Sequence, residues 1–434
     1  MFAGIDLGTS GCRAIVIDKS GMVMGQAATT LPEPQRDGPA ISQAPHYWWQ
    51  AVREVIAELS QQVDLSQLQA LSVDGTSATL VLTDKLGNPI TDALMYNDAR
   101  ARDFVEPIRQ HAPPDSAVHS ASSSLAKLLW CQQQGLLDKA HYILHQCDWI
   151  LGRLAGRFGI SDVNNCLKLG YDPQQNTWPD WLQHFSVPQD KLPQVRRPGT
   201  VIGNVDTDIA RELNLPASMQ ICAGTTDSTA AVLATGINTV GDAVTSLGST
   251  LVLKVLSNAP VFSAHHGVYS QPLFEHWLVG GASNSGGAVL RHYFRQDQLT
   301  AMTPKLQPEK PTGFDYYPLI TKGERFPIND SSLTPRLAPR PDDDVKFFQG
   351  ILEGIAAIEQ RGYRLLNELG APYPTRVVTI GGGAANPGWQ QIREQHLRVP
   401  VEKAAQQQAA YGTALLAMKG AKTGYENHMH KESS

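Results

Sequence analysis

An α/β protein of two related lobes is predicted for this 434-residue chain by three observations. The first is the opening stretch, Gly4-Ile5-Asp6-Leu7-Gly8-Thr9-Ser10-Gly11-Cys12-Arg13, which continues into Ala14-Ile15-Val16-Ile17-Asp18. It reads as a strand, a tight glycine turn carrying two hydroxyls, and a second β-branched strand. The second is the return of that grammar half a chain later in Ala243-Val244-Thr245-Ser246-Leu247-Gly248-Ser249-Thr250-Leu251-Val252-Leu253. There Gly248-Ser249-Thr250 stands where Gly8-Thr9-Ser10 stood, as expected of two similar units facing one cleft. The third is the strand Arg376-Val377-Val378-Thr379-Ile380, which runs into Gly381-Gly382-Gly383 and opens a helix near Gly388-Trp389.

Composition bounds the function. The chain is 42% hydrophobic and 18% charged, ordinary for a globular protein of two or three domains. A net charge of -5 without a basic run gives no footprint for nucleic acid or a membrane surface. Cys12, Cys131, Cys147, Cys166 and Cys222 are odd in number and scattered without a CxxC pair, which argues against a disulfide framework or a zinc ribbon. The N-terminus enters a strand at once and no apolar run reaches membrane-span length, so a cytoplasmic protein is expected.

Each element has its local reason. After the opening hairpin and a Pro/Gln/Gly-bearing loop over 31–44, Trp48, Val52, Val55, Ile56, Leu59 and Val63 recur at helical spacing, with Trp48-Trp49 read as core. Residues 68–83 again read as strand, polar turn (Asp74-Gly75-Thr76-Ser77) and strand. The serines of 120–124 cap the helical run Leu125-Ala126-Lys127-Leu128-Leu129-Trp130, in which Lys127 is expected to be solvated. Met219-Gln220-Ile221-Cys222 is a buried strand that delivers Asp227 at its C-terminal end, where open α/β sheets place their chemistry. Strand 276–283 leads through Gly286-Gly287 into a helix, and proline-rich loops follow over 301–344. Asp342-Asp343-Asp344 caps a long amphipathic helix that ends at Gly370. An Ala/Gln-rich helix over 404–419 is expected to pack back on the first lobe, with a flexible tail over 426–434.

The chemistry suggested by these segments is that of phosphate handling. Gly8 and Gly11 permit close backbone approach, Thr9 and Ser10 offer donors to an anion, and Asp6 sits where Mg²⁺ or its waters could be held. A triple glycine leaving a strand is a natural seat for a nucleotide. The chain carries no GxxxxGK[ST], no GxGxxG opening a strand–helix unit, no HExxH and no GxSxG.

Taken in order, GIDLGTSGCR, YNDAR, SLAKLLW, AGTTDS, TSLGST, GER and IGGGAANPGW resemble the FGGY carbohydrate kinases over nearly the whole chain. Within that family VDGTSAT, NNCLKLGYDP, AGTTDS and TSLGST are most similar to the D-ribulose kinase group of cyanobacteria and plants, once called xylulose-kinase-like. The resemblance implies the ribonuclease H-like, actin-like ATPase fold of sugar kinases and heat-shock 70 proteins, with ATP and sugar in the interlobe cleft. It implies a sugar-binding lobe over 1–228 plus 405–425 and a nucleotide-binding lobe over 229–404. The implied reaction is ATP-dependent phosphorylation of a ketopentose, D-ribulose first. A xylulose or other polyol kinase and a sugar-independent actin-like ATPase are the alternatives.

The same resemblance assigns residues. Asp227 matches the catalytic base, and Asp6 the acid near Mg²⁺ and the transferring phosphate. Thr9 and Ser10 match the first phosphate loop, Gly248 and Ser249 the second. Gly382, Gly383, Asn386 and Trp389 match the adenosine pocket, with Gly286 and Gly287 on its far wall. Ser77 matches a ketose contact, shared with Asp6 and Asp227. Two departures stand out. Ser77-Ala78-Thr79 replaces the Gln, Met-His or Arg-Glu pair of xylulose and glycerol kinases, and Tyr96 stands where most of the family has Trp. The partners implied are a sugar and ATP, with no nucleic acid and no membrane, in a monomer or homodimer.

Overall fold

The computed structural model describes residues 1–422 in full and the backbone as far as Glu432. The tail expected over 426–434 lies outside the fully described residues. Two compact units divide the chain, Met1–Ala234 with Gln408–Ser434, and Thr235–Gln407.

The first unit is built on a mixed seven-stranded sheet. Strands β1 (Phe2–Leu7), β2 (Gly11–Ile17) and β3 (Val23–Thr30) form an antiparallel meander. Helix α1 (His46–Leu59) follows, then β4 (Ala70–Gly75), which lies parallel to β1 with Asp74 opposite Asp6. Helices α2 (Ser124–Gln133) and α3 (Gln146–Ala155) come next. Strand β5 (Val201–Asn204) lies antiparallel to β6 (Gln220–Cys222), and β6 and β7 (Thr225–Thr226) both add parallel to β4. Helix α4 (Asp227–Ala234) starts directly at the end of β7 and stays whole within this unit, so the unit ends at Ala234 rather than inside the helix.

All residues of β1 and β4 are buried, as a strand covered on both faces requires. Ala3, Ile5 and Leu7 pack with Trp48, Val52 and Val55 of α1 and Trp149, Ile150 and Leu154 of α3. The segment 68–83 is not a hairpin. After β4 the chain leaves this sheet, and Leu80–Thr83 joins a separate five-stranded sheet between Ala93–Leu94 and Tyr142–His145.

The second unit repeats the pattern. Strands β8 (Asp242–Leu247), β9 (Leu251–Ser257), β10 (Tyr269–Leu273) and β11 (His276–Ser283) pair antiparallel in the order β8-β9-β11-β10. Helices α5 (Gly287–Tyr293) and α6 (Asp344–Glu368) follow; the Asp343 carboxylate accepts from Val345 N to cap α6. Strand β12 (Arg376–Ile380) adds parallel to β8, as β4 does to β1. After α7 (Pro387–Leu397), β13 (Val401–Lys403) adds parallel to β12.

The chain then returns to the first unit as α8 (Ala409–Glu432). Its start is later than the composition of 404–419 suggests, because 401–403 are held in the β12 ladder. Ala410, Ala414 and Ala417 pack on Phe2, Ile15, Ile17 and Ala70, the sheet face opposite α1 and α3. Glycine is required at the crossing: a Cβ on Gly4 would overlap the α8 backbone at Ala410 and Ala414. The small-residue run thus lets a helix lie against the strand that carries Asp6.

Candidate functional site

The first unit gathers three carboxyls at the C-terminal edge of its parallel strands. Asp6 ends β1 next to Leu7, Asp74 is its cross-strand partner on β4, and Asp227 follows β7, whose Thr225 pairs with Asp74. Asp74 is fully buried and accepts a hydrogen bond from the Thr413 hydroxyl of α8. Burial first, and then the Asp6 charge, push its carboxyl well above the usual range. The Oδ1 atom of Asp74 has no partner among the described residues. Asp6 is also pushed up by burial, opposed by the Arg13 guanidinium at 3.4 Å from Oδ2. With a half-exposed arginine as its cationic neighbour and Asp74 across the strand, Asp6 is open enough to hold a divalent cation or its waters.

Asp227 is partly exposed, and its Oδ1 accepts from Ser228 N at 2.6 Å. Burial raises its carboxyl to about 6; Asp6 adds to the rise, while the Ser228 bond and the Lys168 charge oppose it. A carboxylate poised there is a competent general base near neutral pH. The base role that the resemblance assigns to Asp227 requires it ionised, so kcat/KM for the sugar is expected to be full above about pH 7. Below about pH 6 it should fall about tenfold per pH unit. A rate profile flat down to pH 4.5 would exclude Asp227 as the titrating base, that bound being roughly the carboxylate range.

The glycine turn between β1 and β2 closes through Gly8 N to Gly11 O at 3.0 Å, and Leu31 N donates to Ser10 O. Thr9 is half-buried and Ser10 exposed, so both hydroxyls stay available. Ser77 follows Gly75-Thr76, where the Gln146 amide oxygen accepts from both Thr76 N (2.9 Å) and Thr76 Oγ1 (2.7 Å). Ser77 is half-buried between buried neighbours, and Tyr96 is 42% exposed. Lys127 is not solvated. It is fully buried on α2, and its ammonium donates to Ala78 O and Met95 O. Burial pushes it down to about 7, with the Asp98 charge resisting. Helical spacing alone gave no sign of this, because the acceptors come from remote loops.

In the second unit a cavity of about 480 Å³ is lined by Gly248, Ser249, Gly287, Arg291, Gly382, Gly383, Asn386 and Trp389 among others. It therefore brings together Gly248 and Ser249 of the expected second phosphate loop with Gly382, Gly383, Asn386, Trp389 and Gly287 of the expected adenosine pocket, while Gly286 does not line it. Gly287 N donates to Gly248 O, and Ala288 N to Ser249 O, which ties the β8–β9 turn to the start of α5. The triple glycine has divided roles. A Cβ on Gly383 would strike Leu247 and Trp389 at 2.7 Å, whereas Gly382 faces open space. Asn386 caps α7 by accepting from Trp389 N, and Trp389 is buried with its indole N–H unpartnered among the described residues. These two residues shape the cavity wall as much as they offer ligand contacts.

Sequence reasoning missed Arg291, whose guanidinium donates to Ser249 Oγ at 2.8 Å beside this cavity, and Asp74, read as part of a turn. A cationic side chain in the first turns after a Gly-Gly pair was the available signal for Arg291. A second polar cluster, Cys147, Asp148 and Asp162, is buried in the first unit. Its carboxylates serve backbone and side-chain donors, His145 N and Nδ1 for Asp148, Asn164 N and Asn165 N for Asp162, so it reads as structural. All five cysteines are free and buried, and among the described residues no helix is long and apolar enough to cross a membrane.

The sequence model for the N-terminal domain of the FGGY family of carbohydrate kinases matches residues 1–234, and that for the C-terminal domain matches 243–421. A xylulose kinase of Staphylococcus xylosus is 22% identical, covering 96% of this chain and 90% of its own length. One of Bacillus subtilis is 26% identical, with coverages of 96% and 87%. A crystal structure described as a xyloylose kinase from Brucella ovis superposes with a TM-score of 0.87 at 22% identity, covering 97% of this chain and 90% of that one.

Proposed function

The chain belongs to the FGGY family of carbohydrate kinases, and from that membership we propose that it phosphorylates a ketopentose with ATP, taking D-ribulose to D-ribulose 5-phosphate. The observation that carries this reading is the placing of Asp6 and Asp227 at the C-terminal edge of the parallel strands of one sheet, beside the small-residue loop that holds Ser77. In this reading the first unit binds the sugar through Ser77, Asp6 and Asp227. The second unit binds the nucleotide in the cavity walled by Gly382, Gly383, Asn386 and Trp389, with Gly248 and Ser249 toward its phosphates.

Phosphoryl transfer asks little covalent chemistry of a protein. Asp227 accepts the proton of the terminal sugar hydroxyl as that oxygen bonds to the γ-phosphorus, and the bond from phosphorus to the β–γ bridging oxygen breaks to release ADP. The hydroxyls of Thr9 and Ser10 and the backbone around them donate to phosphate oxygens. Asp6 would hold Mg²⁺, directly or through water; when bound, the ion offsets charge on the phosphates. Arg13 keeps Asp6 from being a bare buried charge before substrates arrive.

Ribulose is favoured by Ser77-Ala78-Thr79, which supplies none of the larger pairs that xylulose and glycerol kinases carry. The relatives named xylulose kinase favour D-xylulose as the second reading. ADP release measured with Mg-ATP against D-ribulose, D-xylulose, L-ribulose, glycerol and no sugar separates them. Strong stimulation by D-ribulose above the others is expected. Preference for D-xylulose would replace the substrate, and ATP hydrolysis indifferent to every sugar would overturn the kinase reading in favour of an actin-like ATPase.

A further inference from the structure

The strands Leu80–Thr83 and Ala93–Leu94 pair antiparallel through Leu80 and Leu94, and their ladder goes no further toward Ser77. Beyond that pair Ala78 adopts a left-handed backbone, φ 68°, a conformation that costs a non-glycine residue about 1 kcal/mol. The carbonyls of Ala78 and Met95 then lie where the ladder would have continued, in surroundings where Ala78, Thr79 and Met95 are all fully buried. A single ammonium takes both: Lys127 Nζ lies 2.8 Å from Ala78 O and 2.6 Å from Met95 O. Met95 O also accepts from Asp98 N, and the buried Asp98 carboxylate in turn accepts from Ile41 N and Arg100 Nε. Half-buried Ser77 precedes one clamped carbonyl, and exposed Tyr96 follows the other.

We propose that Lys127 is a positioning residue for sugar selection, its ammonium replacing the missing ladder so that Ser77 and Tyr96 are held at a fixed spacing. The inference rests on the reading of Ser77 as a ketose contact and takes exposed Tyr96, at the departure from the family's Trp, as the wall opposite it. A buried amino group that donates to two loop carbonyls resists their drift, because leaving two buried carbonyls unpaired carries a desolvation penalty. Lys127 spans two loops.

The test uses the full chain with Lys127→Met, which keeps the stem and deletes the donors, and the same variant combined with Ala78→Gly. Lys127→Met should raise KM for the preferred ketose by at least about tenfold, the loss of two donated hydrogen bonds. KM for ATP should move less than about twofold, its pocket being unaltered. Backbone hydrogen exchange should quicken in 76–79 and 95–98 while the rest of the first unit keeps its protection. Ala78→Gly should recover part of the ketose KM, since glycine holds the left-handed conformation without help. An unchanged ketose KM, or ketose and ATP KM rising together with protection lost throughout, would overturn the clamp. Should the wild type accept no sugar, the kinase reading fails by itself, and unchanged exchange at 76–79 and 95–98 would still refute the clamp.

Discussion

Asp227→Asn is expected to lower kcat by about 10²–10⁴-fold, the range for loss of a positioned general base. The substitution is nearly isosteric, and the bond from Ser228 N to Oδ1 survives in the amide. What vanishes is the capacity to accept the sugar proton. Sugar KM should change little, because an amide oxygen still accepts from a hydroxyl, and ATP KM should not change. A loss in kcat with both KM values held marks a transition-state interaction. The descent of the rate below about pH 6 should vanish with the base. Near-normal turnover in the folded variant would refute the assignment of Asp227.

The second large effect is on stability. Glu359 of α6 and Arg393 of α7 form a bidentate pair, Nε to Oε2 and Nη2 to Oε1 both at 2.7 Å, with side-chain exposures of 0% and 2%. Arg393 Nη1 donates to Thr379 Oγ1 of β12, and Thr245 Oγ1 of β8 donates to Glu359 Oε1 while bonded to Tyr363. Glu359→Ala leaves a guanidinium buried without its counter-charge, which costs about 3–5 kcal/mol. Urea unfolding should show that loss in the second unit. Glu359→Met with Arg393→Met should recover most of it, since an apolar pair of similar volume removes both desolvation costs. Thr245 and Thr379 lie just ahead of the turns at Gly248 and Gly381, so weaker ATP binding should accompany the single variant. A single variant as stable as the wild type would mean that the guanidinium finds water or another partner.

Much of the molecule was legible in the chain. Alternating β-branched runs broken by glycine and hydroxyl turns located β1, β2, β8, β9 and β12, and apolar periodicity located α1 and α6, because these elements follow from local sterics and burial of one face. The repeated turn grammar announced two like units, and the structure gives both the same parallel-plus-meander sheet. Asp227 was visible because an acid after a buried strand is itself a local pattern. The gathering of the second-unit residues around one cavity was legible only through the family resemblance, since 248 and 383 are far apart in sequence.

Tertiary structure alone decided the rest. The strand–turn–strand pattern of 68–83 cannot say that its halves join different sheets, because pairing partners come from 2–7 and 93–94 rather than from each other. Asp74 looked like a turn residue, since nothing local reveals that Thr413, 339 positions away, supplies its bond partner. Glu359 fell on what reads as an amphipathic helix, and Arg393 on another, and only packing turned two ordinary surface residue types into one buried pair. Lys127 was expected in water for the same reason. Local sequence sets backbone preference and which face is apolar; whether a charge is buried, and against what, is set by chain segments that local pattern does not connect.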